Sequence, residues 1–330
     1  AGGASGAQAG TKTSSFTPPD VMTSTCTGRK RALLIGINYH GQQGELRGCI
    51  NDVENMAKFI DTWGFSDVRI LTDKAGSSNP PNRANIEAAM SWLVEGAQEG
   101  DSLFLHYSGH GGSTKDTSGA EADGAAETII PLDYKSAGQI VDDDIHQRLA
   151  SNLPKGVRLT AIFDSCHSGS VLDLPYLYAV DGTLEVVEVD IRAIVMSHAQ
   201  SLVTALASGN KKRAMGEGLA FAKAVYAAKT AGDSEAQARA EKLRATNADV
   251  LQFSGCRDEQ TSADATIAGK ATGALSWAFI KTFNEAGGAG ANLTYTQLLG
   301  GIRTNLQKKY SQVPQLTAGR KVNLNTKFTM

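Results

Sequence analysis

Five short runs of β-branched and apolar residues recur along the chain, and helical patterns separate most of them. The runs are RALLIGIN (31–38), VRILTD (68–73), SLFLHYS (102–108), VRLTAIFD (157–164) and DVLQFSG (249–255). Runs that are this short and this continuously apolar predict strands buried on both faces. Strands that alternate with helices predict an α/β fold with a mostly parallel central sheet and helices on both faces.

The segments between and after these runs carry the helical patterns. In NDVENMAKFIDTW, Asn51 and Glu54 have the spacing of a capping box, so we predict that Asn51 caps the first helix. A second helix is predicted around Ile86–Val94. The segment DDDIHQRLASNL predicts a third, because acids favour a helix N-terminus. Two more are predicted at 273–286 and 294–308.

Composition and charge exclude several classes of partner. The 330 residues carry a formal net charge of −2, so no global field attracts nucleic acid or an anionic membrane. No apolar run reaches the roughly 18 residues of a transmembrane helix. The four cysteines are too sparse for a disulfide framework and show no zinc-ligand spacing, which favours a reducing, intracellular compartment.

The ends of the strands at 102–108 and 157–164 carry the residues with chemical potential. His110 lies in HYSGHGGS and Cys166 in FDSCHSGS. If the two strands are neighbours, these side chains face each other at one sheet edge, and an imidazole beside a thiol is an activated nucleophile. The glycines let backbone N–H groups approach an oxyanion. The alternatives are a buried structural cysteine with a hydrogen-bonded histidine, and a zinc site, which lacks a recognisable fourth ligand.

The motifs HYSGHGG, DSCHSGS, LRGCINDVENM and VDDDIH resemble the type I metacaspases of fungal type, over about residues 29–330. The resemblance implies a caspase-like fold and a monomeric cysteine endopeptidase, cytoplasmic and with the nucleus as a second location. It implies cleavage of proteins after Arg or Lys and activation by Ca²⁺. His110 and Cys166 would form the catalytic dyad, and the N–H groups of Gly111 and Cys166 the oxyanion hole.

The same resemblance divides the chain. Residues 1–28, rich in Gly, Ala, Ser and Thr, would be a flexible arm. Residues 29–330 would be a single catalytic domain. Its parts would be a p20-like part at 29–204, a cleavable loop and insertion at 205–246, and a p10-like part at 247–330.

The pocket for the residue before the scissile bond (P1) is assigned by the resemblance to Asp52 and Asp164, with Cys49 and Ser108 in its lining. Two carboxylates suit a guanidinium, which makes bidentate bonds. Two structural alternatives stay open. Asp52 could be a helix N-cap, and Asp164 could orient its loop or His167.

The resemblance also implies calcium ligands at Asp142, Asp143 and Asp173. The position of the expected fourth acid holds Ala126, preceded by Ala125. Ca²⁺ takes six to eight oxygen ligands, so we expect weakened binding and an impaired calcium response. The alternative for Asp142 and Asp143 is a negatively charged first helical turn.

Self-cleavage is predicted in GNKKRAMG, at Lys211, Lys212 or Arg213, each of which fits the P1 rule. The alternative for these residues is a solvated charge run. A rival function is a caspase-fold scaffold or aggregate-binding quality-control protein with little peptidase activity. An α/β-hydrolase would need a G-x-S-x-G elbow, which the sequence lacks.

Overall fold

The computed structural model describes residues 23–115, 125–165, 171–180, 186–188, 245–256, 265–267, 270–307 and 313–330. Their strands, in chain order, are β1 Lys30–Gly36, β2 Asp67–Thr72, β3 Ser102–Ser108, β4 Gly111–Lys115, β5 Ala125–Ile129, β6 Ile140–Val141, β7 Arg158–Asp164, β8 Tyr176–Val180, β9 Val186–Glu188, β10 Asp249–Cys256, β11 Ala265–Ile267, β12 Lys270–Thr272 and β13 Val313–Ala318. Their helices are α1 Cys49–Asp61, α2 Arg83–Val94, α3 Tyr134–Ala137, α4 Asp142–Leu149, α5 Ala274–Glu285 and α6 Tyr295–Gln307.

An eight-stranded sheet in the order β2-β1-β3-β7-β10-β13-β8-β9 forms the centre of the fold. The first five strands are parallel, and the last three join antiparallel. The five parallel strands are the five that the apolar runs predict, so the α/β prediction with a mostly parallel sheet is confirmed. A small sheet, β4-β5-β6, lies beyond the end of β3.

Helices cover the two faces of the central sheet as separate layers. One core contains buried side chains of α2 and α4, among them Ile86, Met90 and Ile145. The other core contains α1, α5 and α6, with Phe59, Phe279 and Leu298 among its members. Along β3 the side chains alternate between these two cores, as strand geometry requires.

The predicted start of the first helix is wrong. The helix begins at Cys49 with Gly48 as its N-cap and no side-chain capping hydrogen bond. The reason is tertiary: the Cys49 N–H donates to Oδ1 of Asn38 at 3.0 Å, so a side chain beyond β1 satisfies an amide of the first turn. Asn51 and Glu54 therefore lie inside the helix.

Both ends of the described chain meet at the amino ends of the parallel strands. Arg158 and Asp249, the first residues of β7 and β10, form a buried ion pair at 2.6 Å. Ser24 donates its N–H to the same carboxylate at 3.3 Å, and Arg158 donates to the carbonyl of Thr329 at 2.6 Å. The last residues of the predicted arm thus pack against the sheet: Ser24 and Cys26 are buried.

Candidate active site

The register of β3 and β7 brings two predicted site residues to one edge. These strands are parallel neighbours, as the sequence argument requires, and Ser108 is paired with Asp164. His110 follows Ser108 by two positions, and Cys166 follows Asp164 by two. Cys166 itself, and the predicted self-cleavage residues Lys211, Lys212 and Arg213, lie outside the described residues.

His110 is held by a backbone carbonyl that sequence reasoning missed. Its Nε2 lies 2.6 Å from the carbonyl oxygen of Gly44. A carbonyl can only accept, so Nε2 carries the proton and Nδ1 is left as the basic nitrogen. Gly44 has φ of +82°, and a Cβ there would lie 3.1 Å from the imidazole. The glycines of the loop GQQGELRG were the available signal for this close approach.

Two buried tyrosines fix the backbone around His110. The Tyr39 hydroxyl accepts from the His110 N–H at 3.0 Å and donates to the carbonyl of Ile130 at 2.6 Å. The Tyr107 hydroxyl donates to the carbonyl of His110 at 2.7 Å. The Tyr39 ring also packs against the imidazole in a tilted arrangement, with centroids 4.7 Å apart and an interplanar angle of 37°. Burial raises the pKa of both phenols, so both remain protonated donors.

The acids assigned to the P1 pocket converge on the amino end of α5. Asp52 accepts from the Ser108 hydroxyl at 2.7 Å and from the Gly273 N–H at 2.8 Å. Asp164 accepts from the Ser276 N–H at 2.7 Å. The N-cap alternative for Asp52 is wrong, because Gly48 holds that position.

Gly273 fits between the two carboxylates because it has no side chain. A Cβ at this position would overlap the carboxylate of Asp164 and lie 2.7 Å from Oδ2 of Asp52. Both acids are nearly inaccessible, at 1% for Asp52 and 5% for Asp164. Cys49, also buried, lies three residues before Asp52 on α1.

Asp142, one of the residues assigned to calcium, accepts hydrogen bonds from backbone amides. Asp142 is buried, and its two oxygens accept from the N–H groups of Glu127 and Asp143, each at 2.8 Å. Asp173 is buried too, at a φ of 47°. In the part of the chain that the structure describes, no group of three His, Cys, Asp or Glu side chains could hold a metal ion.

Comparison with known proteins gives a consistent result. Residues 30–175 match the family described as metacaspase, peptidase C14 domain. Metacaspase-1A of Neurospora crassa is 49% identical over 316 residues, which cover 93% of this chain and 66% of that protein. Metacaspase-1 of Mycosarcoma maydis is 47% identical over 93% of this chain and 74% of its own. The chain thus spans about two thirds to three quarters of these relatives.

This chain belongs to the metacaspase family. That family consists of cysteine peptidases, and the matched region is the peptidase domain. The crystal structure of protein GSU0716 from Geobacter sulfurreducens is similar with a TM-score of 0.54 and 25% identity, over 91% of this chain and 98% of that one. The caspase-like fold expected from the sequence motifs is confirmed.

A groove between α1 and α5 extends from the paired acids of this metacaspase. Its volume is about 490 Å³, and its lining includes Asp52 and Ser276. Phe59, Trp277 and Ile280 form apolar walls. Within the described ranges, no helix is long and apolar enough to cross a membrane.

Proposed function

We propose that this metacaspase is an endopeptidase that cleaves proteins after Arg or Lys, with Cys166 as nucleophile and His110 as base. What carries the proposal is the Ser108–Asp164 register pair, which His110 and Cys166 each follow by two residues. The hydrogen bond from His110 to Gly44 leaves Nδ1 as proton acceptor, which is the state that a general base needs.

The proposed reaction follows from these positions. His110 Nδ1 takes the thiol proton of Cys166, and the thiolate sulfur attacks the carbonyl carbon of the scissile peptide bond. The N–H groups of Gly111 and Cys166 bind the resulting oxyanion. The imidazolium then protonates the leaving amine as the C–N bond breaks, and water hydrolyses the thioester to release the acid and restore the thiol.

Selectivity for a basic P1 residue is supported by the pairing of the two acids at one point. Asp52 and Asp164 flank Gly273, so a cation bound at this point would face both carboxylates. A guanidinium makes bidentate bonds to such groups, and an acidic P1 residue would be repelled. Cys49 and Ser108 complete the proposed lining.

Two variants and a substrate library test this function. Cys166→Ala should abolish turnover of an Arg-amide reporter, with the thermal unfolding curve unchanged. Asp52→Ala should lower kcat/KM by roughly one to two orders of magnitude, because a charge-assisted bond is worth about 1.5–3 kcal/mol. Turnover by Cys166→Ala, or cleavage after Asp in the library, would contradict the assignment. No turnover in the unmodified protein, nor in the calcium-responsive variant described below, would instead favour the scaffold function.

We also propose that the calcium response of this chain is impaired at position 126. The N–H that binds Asp142 belongs to Glu127, so residue 126 lies beside a carboxylate assigned to calcium. An acid there would add oxygen ligands next to Asp142, whereas the buried Ala126 adds none.

Calorimetry with Ca²⁺ tests this on the unmodified protein, Ala126→Asp and the matched control Ala125→Asp. We expect Ala126→Asp alone to bind Ca²⁺ more tightly and to gain calcium-dependent self-cleavage at 211–213, which mass spectrometry of the fragments would locate. An equal response in all three proteins would contradict the proposal.

A further inference from the structure

His106 is a polar side chain in a position that should be apolar. It lies on β3, two residues before Ser108 and on the same face, between Phe104 and Ser108. That face packs on the α1, α5 and α6 core, which includes Phe104. The imidazole is completely buried, at 0% exposure. Burial lowers its pKa to about 3, so the ring is neutral near neutral pH.

Only one nitrogen of this buried ring has a hydrogen-bond partner. Nε2 lies 2.8 Å from Oγ of Ser276, whereas Nδ1 has no partner among the described residues. A buried polar atom without a partner is unfavourable, and an apolar side chain of similar volume would avoid that cost. The bond to Ser276 is therefore the one interaction that distinguishes this histidine from a core leucine.

Ser276 connects His106 to the acids. It lies in the first turn of α5 and is 1% exposed. Its side chain contacts His106, and its N–H donates to Asp164 at 2.7 Å. One turn earlier, the Gly273 N–H donates to Asp52. The place of α5 relative to β3 therefore sets the geometry of both carboxylates.

We propose that His106 is a positioning residue for P1 recognition: it anchors Ser276 to β3 and thereby fixes Asp164 where it receives the P1 cation. The inference rests on the proposed selectivity for Arg or Lys and names a further determinant of it. A guanidinium needs two acids at a set spacing, whereas an ammonium behaves as a point charge. Loss of the bond between His106 and Ser276 should thus weaken binding of a P1 Arg more than binding of a P1 Lys.

Binding of product-like peptides tests the inference without turnover. Three peptides that differ only in a C-terminal Arg, Lys or norleucine are titrated by calorimetry into the unmodified protein and His106→Leu. We expect the Kd of the Arg peptide to rise about tenfold in His106→Leu, since a charge-assisted bond is misplaced. The Lys peptide should change by about threefold or less, and the norleucine peptide should not change.

Two further variants separate positioning from general damage. His106→Gln can place a polar group near the position of Nε2 and should restore Arg binding to within about threefold. Thr160→Val is the matched control: Thr160 is equally buried, its hydroxyl has no described partner, and it lies on neighbouring β7. It should leave all three affinities unchanged. If His106→Leu does not fold, Ser276→Ala replaces it and should weaken Arg binding in the same sense.

The outcomes distinguish failure of the positioning role of His106 from failure of the proposed selectivity for Arg or Lys. Tight Arg binding that is equal in the unmodified protein, His106→Leu and Ser276→Ala would overturn the positioning role alone. So would an equal loss for Arg and norleucine peptides, or no rescue by His106→Gln. If the unmodified protein does not prefer Arg or Lys over norleucine, the proposed selectivity fails and this inference fails with it.

Discussion

The two ends of β7 each contribute to a buried pair of charged side chains, and the pairs differ in kind. At the amino end, Arg158 and Asp249 have opposite charges and are joined at 2.6 Å. At the carboxyl end, Asp164 and Asp52 have the same charge and meet at Gly273. The chain's own terminal segments close the first pair through Ser24 and Thr329.

This difference separates stability from recognition within one sheet. A buried ion pair whose other donors and acceptors are satisfied is costly to break but presents no charge to a ligand. The two carboxylates accept hydrogen bonds from the Ser108 hydroxyl and from the amides of Gly273 and Ser276, which are neutral donors. The amino end should therefore govern folding, and the carboxyl end should govern P1 binding.

The largest expected effect is the loss of the opposite-charge pair. Asp249→Asn leaves the Arg158 guanidinium buried without its counter-charge, which should lower the free energy of unfolding by about 3–5 kcal/mol. Urea denaturation measures it. Arg158→Met combined with Asp249→Leu should recover most of the loss, since an apolar pair needs no counter-charge. A loss below about 1 kcal/mol for Asp249→Asn, the range of exposed pairs, would remove the distinction between the two ends.

A matched pair of glycine substitutions sharpens the comparison. A Cβ at Gly273 would overlap Asp164, and a Cβ at Gly28, at the other end, would lie 2.5 Å from Asp101. Overpacking of either site should cost about 1–3 kcal/mol of stability. Only Gly273→Ala should also weaken binding of a peptide that ends in Arg, by roughly tenfold or more. Equal peptide affinity in the two variants would contradict the assignment of recognition to the carboxyl end.

The sequence predicts the sheet better than it predicts these contacts. The five parallel strands are evident because both of their faces are buried, which makes them continuously apolar. The sequence does not reveal β13, because its residues VPQLTA include Pro314 and polar side chains. This strand joins the sheet antiparallel, between β10 and β8. The α1 start was misplaced because Asn38, not a capping residue of the helix, satisfies the Cys49 amide.

In the candidate site, too, the sequence identifies residues in local motifs but not the contacts between distant residues. His110, Asp52 and Asp164 belong to motifs that are contiguous in sequence, so the sequence alone identifies them as candidates. Gly44 acts on His110 from 66 residues away, and Ser276 bonds to His106 from 170 residues away. No local pattern reports such pairs, because they depend on which elements the completed sheet brings together.

The smallest predicted effect concerns pH and contrasts the same two ends. Arg158 stays charged at every accessible pH, whereas the pKa of His106 falls from its usual 6.5 to about 3 because the ring is buried. Below pH 6.5 the unfolded chain binds a proton at this residue that the folded protein does not bind. The free energy of unfolding should therefore fall as the pH drops below about 6.5, by roughly 2 kcal/mol between pH 7 and 5 from this group.

His106→Gln removes this titration and leaves every other titrating side chain in place. Urea denaturation of both proteins between pH 7 and 5 should show a steeper decline for the unmodified protein, by about 1.4 kcal/mol per pH unit below roughly pH 6. The carboxylates are common to both proteins, so their contributions cancel in the difference between the curves. Parallel curves would mean that His106 takes up a proton in the folded protein over the same pH range as in the unfolded chain. That result would contradict the prediction and would place a cation at the carboxyl end of the sheet.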